Sequence, residues 1–365
     1  MGTVIFLSSP ELWSVQPDIG HPLKPQRLRQ TFELLSDYGA FDAANIEVIP
    51  PRVATDEEIA QFHTSVYIEV VNQLSWGKAV PDAIQFGLGT TDNPIFEGMK
   101  EAESLKVGGA LQAAELLWKK EAEIAFSYGG GMHHGFPNFA SGFCIFNDAA
   151  IAIQWLVEKN LKVAYLDLDV HHGDGVQQAF YESDRVLTIS LHQDGRTLFP
   201  GTGAIAEIGR EKGIGYSVNL PFPPGTTNRS YLWAFSEIVP PLLERFQADL
   251  IVTQLGVDTH YSDPLAELSL TTRAYEKLYQ KLSELSIPWL ALGGGGYNLD
   301  VVPRAWTLAF GAMSGQNFDN HLPLNYKLKY GGEFLRDMMP PKLESERLRD
   351  RVEKMVEAVK TLHYL

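Results

Sequence analysis

The stretch Tyr165-Leu-Asp-Leu-Asp-Val-His-His-Gly-Asp-Gly175 constrains this chain more than any other. It is an apolar run, Val163 to Leu168, that carries two aspartates and ends in histidines and glycines. Aspartates are rarely buried without partners, so a strand holding two of them must lead them to something positive. In an extended chain Asp167, Asp169 and His171 alternate at i, i+2 and point to one side. Carboxylate and imidazole donors at that spacing suit a borderline divalent ion such as zinc. Gly173 and Gly175 then let the backbone turn away. The rival reading is a salt-bridged strand end. Three further sites weigh against it, because they supply what a catalytic metal still lacks.

Those sites also follow apolar runs. Glu123 to Tyr128 leads into Gly129-Gly-Gly-Met-His-His-Gly135, Leu250 to Gly256 into Val257-Asp258-Thr-His, and Pro288 to Leu292 into Gly293-Gly-Gly-Gly-Tyr-Asn298. A short strand, then glycine, then a reactive side chain, repeated, is the pattern of a parallel α/β sheet whose carboxyl strand ends share one crevice. Thr3 to Leu7 and Val186 to Leu191 are further strands. Helices are expected from about Arg27 to Tyr38, from Asp56, over Lys100 to Lys120, and over Asp148 to Lys159. No linker, repeat or composition shift divides the 365 residues, so one domain is expected. The segment Lys342 to Tyr364 places Leu343, Leu348, Val352, Met355, Val356 and Val359 at helical spacing, which predicts an amphipathic helix packed on the body.

Composition bounds the partners. A formal net charge of −15 argues against general nucleic-acid binding, which needs a basic footprint. The lone Cys144 rules out an intrachain disulfide and cysteine-rich zinc modules, and reads as a small buried hydrophobe. No secretory signal is visible at Met1-Gly-Thr-Val-Ile-Phe-Leu7, and no apolar stretch reaches membrane-spanning length. The expected location is a reducing cytoplasm, with no membrane partner; nothing in the sequence fixes an oligomeric state.

A hydrolytic metal site keeps an open coordination position beside its protein ligands. Asp169, His171 and Asp258 supply two carboxylates and an imidazole and leave room for water and a carbonyl. The water needs a base, which the tandem His133-His134 offers on its glycine loop. Asp167 and Asp174 are free to fix the imidazole tautomers. Tyr297, after four glycines, brings a phenol suited to a developing oxyanion. The same glycines could cradle phosphate, but no Lys-Ser/Thr follows and the GxGxxG spacing is missing.

Read together, these motifs resemble the histone deacetylase superfamily, which includes bacterial acetoin-utilisation-type proteins and acetylpolyamine amidohydrolases. The resemblance covers His21 to Arg27, Phe62-His-Thr64, Gly129 to His134, Ser141-Gly-Phe-Cys144, Asn147-Asp148, Asp167 to Gly175, Phe199-Pro-Gly-Thr-Gly203, Gln254 to Asp258 and Gly293 to Asn298. It implies a single-domain, three-layer arginase/deacetylase α/β fold with a central, mainly parallel eight-stranded sheet. It implies a deacetylase that removes an acetyl group from an N-acylated amine, foremost an ε-N-acetyl-lysine of a peptide or protein, with a small N-acetylated amine as the alternative.

By matched motif, Asp169, His171 and Asp258 hold Zn2+, or Fe2+ in its place. His134 acts as base and then acid, His133 as its charged partner, and Tyr297 steadies the tetrahedral intermediate, while Asp167 and Asp174 orient the histidines. Phe143 and Phe199 wall a narrow tunnel lined by Gly142, Asp92 holds the substrate backbone at the rim, and Arg27 stands at the tunnel base. Two structural K+ sites are implied: Asp167, Asp169, His171, Ser190 and Leu191 form one, and Phe180, Ser183, Val186 and Tyr216 the other.

Three positions qualify the match. Gly135 replaces the alanine usual in class I members and is expected to enlarge the site slightly. Leu265 occupies the gatekeeper position and lacks the glutamate by which some polyamine-specific members recruit a cation. Tyr297 is retained, unlike in weakly active members with histidine there. Arginase-like chemistry would need a second metal and more bridging carboxylates, and an acyl-amide binding protein without turnover would not need the full catalytic set.

Overall fold

Each apolar run that leads into glycine becomes a strand, and the strands end level. The computed structural model describes residues 2–15, 20–338 and 343–365. Its strands are β1 Val4–Leu7, β2 Ile46–Ile49, β3 Ile124–Ser127, β4 Val163–Asp167, β5 Val186–Gln193, β6 Ser217–Phe222, β7 Leu250–Gln254 and β8 Trp289–Leu292. They form one eight-stranded sheet in the order β2-β1-β3-β8-β7-β4-β5-β6. Every pair is parallel. β3 and β4, consecutive along the sequence, are separated in space by β8 and β7. The register aligns Ser127 with Leu292, Leu292 with Gln254, and Gln254 with Asp167. The loops after β3, β8, β7 and β4 therefore leave the sheet side by side, in the crevice where α/β sheets bind ligands.

The helices are α1 Gln26–Asp37, α2 Asp56–Ile59, α3 Ser65–Ser75, α4 Met99–Trp118, α5 Asp148–Glu158, α6 Asp174–Phe180, α7 Asn228–Phe246, α8 Thr272–Ser283, α9 Val302–Ser314, α10 Leu324–Tyr330 and α11 Glu346–His363. Alternation along the strands splits the core in two. Val4 and Phe6 face a core built with α1, α7, α8, α9 and α11, while Ile5 and Leu7 face one built with α4, α5 and α6. The result is the three-layer α/β fold expected. Phe6 packs among Phe41, Phe126, Tyr128 and Phe310 at ring-centroid distances between 4.7 and 5.7 Å. Burying a side chain of that size contributes about 2–3 kcal/mol.

Three expectations are revised. The helix opened at Asp56 lasts a single turn, closed by a Thr55–Glu58 capping box, and the longer helix begins only at Ser65. β4 stops at Asp167, so the expected i, i+2 alternation does not run on through His171. The carboxy-terminal helix starts at Glu346 rather than near Lys342, which lies outside the described residues. Its Val352, Met355, Val356 and Val359 are buried as expected, but Leu343 precedes the helix and is 97% exposed.

Candidate active site

Asp169, His171 and Asp258 converge although the chain no longer runs straight through them. Each offers a ligand atom within 4.8 Å of the others, and all three are buried. His171 Nδ1 lies 3.0 Å from Asp169 Oδ1 and 3.2 Å from Asp258 Oδ2. The free oxygens are held from behind. Gln254 Nε2 and the Gly295 amide donate to Asp169 Oδ2 at 2.6 and 2.7 Å, and the Val170 amide donates to Asp258 Oδ1 at 2.8 Å.

This donor set fits a divalent cation. Burial, and then the neighbouring Asp169 charge, push the Asp258 carboxyl up to about 7. Burial opposes a charge on His171, but its hydrogen bonds to both carboxylates outweigh that and raise it to about 10. Two carboxylates and an imidazole thus share protons where a bound cation would neutralise them. The wall behind is shaped for the same purpose: a Cβ at Gly295 would stand 2.1 Å from Asp258 Oδ2 and 2.6 Å from Asp169 Oδ2.

The tandem histidines flank this cluster. His133 Nδ1 lies 2.7 Å from Asp167 Oδ2, and His134 Nδ1 lies 2.6 Å from Asp174 Oδ1. Asp167 therefore faces His133, whose other ring nitrogen lies 3.9 Å from Asp169 Oδ1. It also accepts from the Tyr165 hydroxyl at 2.8 Å and from the Asp169 amide at 3.2 Å. The histidine loop is pinned by Asp148, which accepts from the amides of Gly131 and Met132 at 2.8 and 2.7 Å. Asn147 caps α5 and donates its side-chain amide to the Gly135 carbonyl at 2.9 Å. A Cβ at Gly135 would meet the Asn147 nitrogen at 3.1 Å. The space left by the missing methyl therefore lies against the start of α5, and the expected enlargement of the substrate site does not follow.

Aromatic rings stand on both sides of the pair. The Phe199 ring lies 5.1 Å from His134 and 6.3 Å from His171, and Phe143 lies 5.7 Å from Tyr297. Gly142 sits between them at φ +50°, where a Cβ would stand 2.4 Å from His134 Cδ2 and 2.9 Å from Phe199. No other residue fits that position without moving the imidazole. The Tyr297 amide donates to Asp263 Oδ2 at 2.8 Å, and the half-buried Leu265 donates its amide to the other Asp263 oxygen at 3.0 Å. Burial pushes the Tyr297 phenol well above its ordinary value, so it stays a donor.

Arg27 is buried beneath the glycine loop, donating to the Gly294 carbonyl at 2.6 Å and lying over the Trp306 ring. Asp92 is exposed, with its backbone carbonyl accepting from His21 Nε2 at 3.0 Å.

Of the residues assigned to potassium, Ser190 pairs with Asp167 across β4 and β5, and Leu191 follows it, both buried. Phe180, Ser183, Val186 and Tyr216 gather at the amino end of β5, and the structure does not bring them to the histidine pair. Gln254, Asp148 and Asp263 received no role from the sequence. Their contacts span 85, 16 and 34 residues, beyond the reach of local spacing.

A buried divalent-cation donor set beside a paired histidine dyad, at the carboxyl end of a parallel sheet, defines a hydrolase-type α/β metal site. The histone deacetylase domain model matches residues 21–313. The chain is 42% identical over 334 residues to the acetoin utilization protein AcuC of Bacillus subtilis, covering 89% of this chain and 86% of that one. It is 35% identical over 340 residues to histone deacetylase 1 of Homo sapiens, covering 92% and 70%. The crystal structure of a histone deacetylase homolog from Aquifex aeolicus superposes with a TM-score of 0.88 at 31% identity, over 97% of this chain and 100% of that one. A homolog complexed with SAHA gives a TM-score of 0.87. The chain belongs to the histone deacetylase family. Among the described residues no helix is long and apolar enough to cross a membrane.

Proposed function

We propose that this chain is a metal-dependent deacetylase of the reducing cytoplasm, acting as one catalytic domain, that cleaves the acetyl amide of an ε-N-acetyl-lysine or a similar linear amine. The observation that carries the reading is the pair of His–Asp dyads, at 2.7 and 2.6 Å, set beside the Asp169–His171–Asp258 cluster.

Asp169, His171 and Asp258 would hold Zn2+, with Fe2+ as the alternative occupant, and the ion would polarise the acyl carbonyl and acidify a water. His134, fixed through Nδ1 by Asp174, presents Nε2 as the base that takes the water's proton and returns it to the leaving amine. Burial, and then the neighbouring His133 charge, lower His134 to about 4, which keeps it unprotonated at neutral pH. Burial also opposes a charge on His133, but the charges of Asp167 and Asp169 win and raise it to about 9. In the metal-free protein one histidine is thus neutral and free to act as a base, while the other carries a charge beside it. The Tyr297 phenol donates to the oxyanion. Gly142, Phe143 and Phe199 pass a thin alkyl chain, and Asp92 meets the substrate backbone at the rim. Arg27 closes the tunnel base. The two potassium sets named from the sequence would stiffen β5 and the turn after β4.

The half-buried Leu265 offers no carboxylate to a second amine, which favours a peptide over a polyamine. The test is kcat/KM of zinc-loaded protein on an ε-N-acetyl-lysine peptide beside an N-acetylated polyamine, with Tyr297→Phe as control. Preference for the peptide, lost in the control, is expected. Preference for the polyamine would move the substrate to small-molecule metabolism, and turnover of neither with Zn2+ or Fe2+ would sink the reading.

A further inference from the structure

A closed ring of polar contacts runs round the segment that carries Tyr297. Arg304 Nη1 donates to Asp337 Oδ1 at 3.0 Å, and Asp337 Oδ2 lies 2.9 Å from His260 Nε2. His260 Nδ1 lies 2.9 Å from the Ser262 hydroxyl, which also lies 2.9 Å from Asn298 Nδ2. Asn298 Oδ1 accepts from the Asp300 amide at 3.0 Å. The Asp300 carbonyl accepts from Arg304 Nε at 2.7 Å, which closes the ring. Arg304 and His260 are buried and Asp337 is half-buried, whereas Ser262 and Asn298 stand at the surface or near it. Asp337 is anchored again by Thr272, whose amide and hydroxyl both donate to it.

The ring joins three separate pieces of chain. It takes in the loop after Asp258, the glycine loop that ends at Tyr297-Asn298, and the segment 333–338 beyond α10. Inside it, Asp263 accepts the Tyr297 amide. The glycine loop cannot set the phenol by itself: Gly294 and Gly296 lie at φ +123° and +131°, and glycine has no side chain to pack. Something outside that loop must fix the residue that follows, and the ring grips Asn298, its immediate neighbour.

We propose that the ring Arg304–Asp337–His260–Ser262–Asn298 is a clamp that sets the Tyr297 phenol for the reaction, with Asp337 and Ser262 as positioning residues. This rests on the role given to Tyr297 above. The clamp ties a segment remote in sequence to the stabilisation of the transition state. A phenol freed by about an ångström still admits substrate but stabilises the oxyanion poorly, so the loss falls on kcat and not on KM.

Ser262→Ala cuts the ring at its exposed side, and Asp337→Asn cuts it where it meets the buried Arg304 and His260. Each is expected to lower kcat about 10- to 100-fold, with KM within about twofold and bound zinc unchanged. Ser262→Thr, which keeps the hydroxyl, is expected to restore most of the rate. The deciding measurement is the same pair of substitutions in Tyr297→Phe protein, where each should cost less than about twofold because the phenol it positions is gone. Losses that multiply in that background, or full kcat in Ser262→Ala, overturn the clamp. Asp337→Asn leaves the buried Arg304 with only its exposed carboxylate partner, Asp300, so it is the variant at risk of misfolding, and Ser262→Ala then decides alone. If Tyr297→Phe itself keeps full activity, the role of the phenol falls, and the clamp with it. Multiplicative losses on the reduced but measurable kcat of Tyr297→Phe sink only the clamp.

Discussion

The two His–Asp dyads are built from the same side chains at nearly the same separation, yet their environments drive them apart. His133 and Asp167 meet at 2.7 Å, His134 and Asp174 at 2.6 Å. Both imidazoles are buried, and burial alone would discharge both. His133 also feels Asp169, whose Oδ1 lies 3.9 Å from its Nε2, and the two carboxylates together overcome the burial. His134 has Asp174 against it but His133 and His171 nearby, so like charge adds to burial and it stays neutral. A hydrogen-bonded pair does not define a catalytic role; the charges just beyond the pair do.

Deleting each imidazole should break the symmetry most visibly. His134→Ala removes the proton carrier and is expected to lower kcat/KM by about 10²- to 10⁴-fold. His133→Ala leaves the carrier and removes only a fixed charge, for a smaller loss of about 10- to 100-fold. Steady-state kinetics on the acetyl-lysine peptide read both, and equal losses would show that the pair shares one role.

The carboxylates come next in size. Asp174→Asn is expected to cost about 10- to 100-fold in kcat with KM unchanged, because the His134 ring loses its orientation. The Asp174 side chain keeps 11% of its surface exposed where Asp167 keeps none, so the folded state should tolerate the change better there. Asp167→Asn alters a fully buried group that also serves the Tyr165 hydroxyl and the Asp169 amide. Its main expected effect is a lower melting temperature, because a buried charged imidazole then loses its nearest counter-charge. A thermal melt beside the kinetics separates these outcomes, and a stable but inactive Asp167→Asn would reverse the assignment of the two dyads.

The sequence made the centre of this molecule legible and left its margins obscure, for one physical reason. The six strands that could be read, β1, β3, β4, β5, β7 and β8, are the interior ones, covered on both faces and therefore mostly apolar, with polar residues gathered towards their carboxyl ends. The two that escaped are the edges. β2 is partly exposed and charged at Glu47, and β6 carries Pro221, which a strand tolerates at an edge. Helix α7 was hidden in the same way by Pro240 and Pro241 in its interior. At the site, residues at the ends of strands announced themselves by the glycines beside them. Gln254, Asp148 and Asp263 did not, because their function lies in hydrogen bonds to distant loops. Asp167 is the instructive case: alternation alone placed it with Asp169 and His171, but as a carboxylate left over from the ligand set it was free to fix an imidazole, and it lies 2.7 Å from His133.

The smallest effect gives the sharpest contrast, because neighbouring residues should respond to pH with opposite sign. In metal-free protein His133 is raised from an ordinary 6.5 to about 9. The folded state holds its proton more tightly than the unfolded state, so its contribution is full below pH 6.5 and is lost as pH rises towards 9. His134 is lowered from 6.5 to about 4. Here the unfolded state holds the proton more tightly, so stability is lost as pH falls from 6.5 towards 4. Each shift corresponds to about 3 kcal/mol across its window. Replacing His133 by Gln should therefore destabilise the protein more at pH 6 than at pH 9. Replacing His134 by Gln should be best tolerated, relative to the parent, near pH 4. Melting temperatures of the chelated proteins across pH 4 to 9 measure both trends. Parallel trends would mean that the two dyads titrate alike and that their division into base and standing cation needs the bound metal.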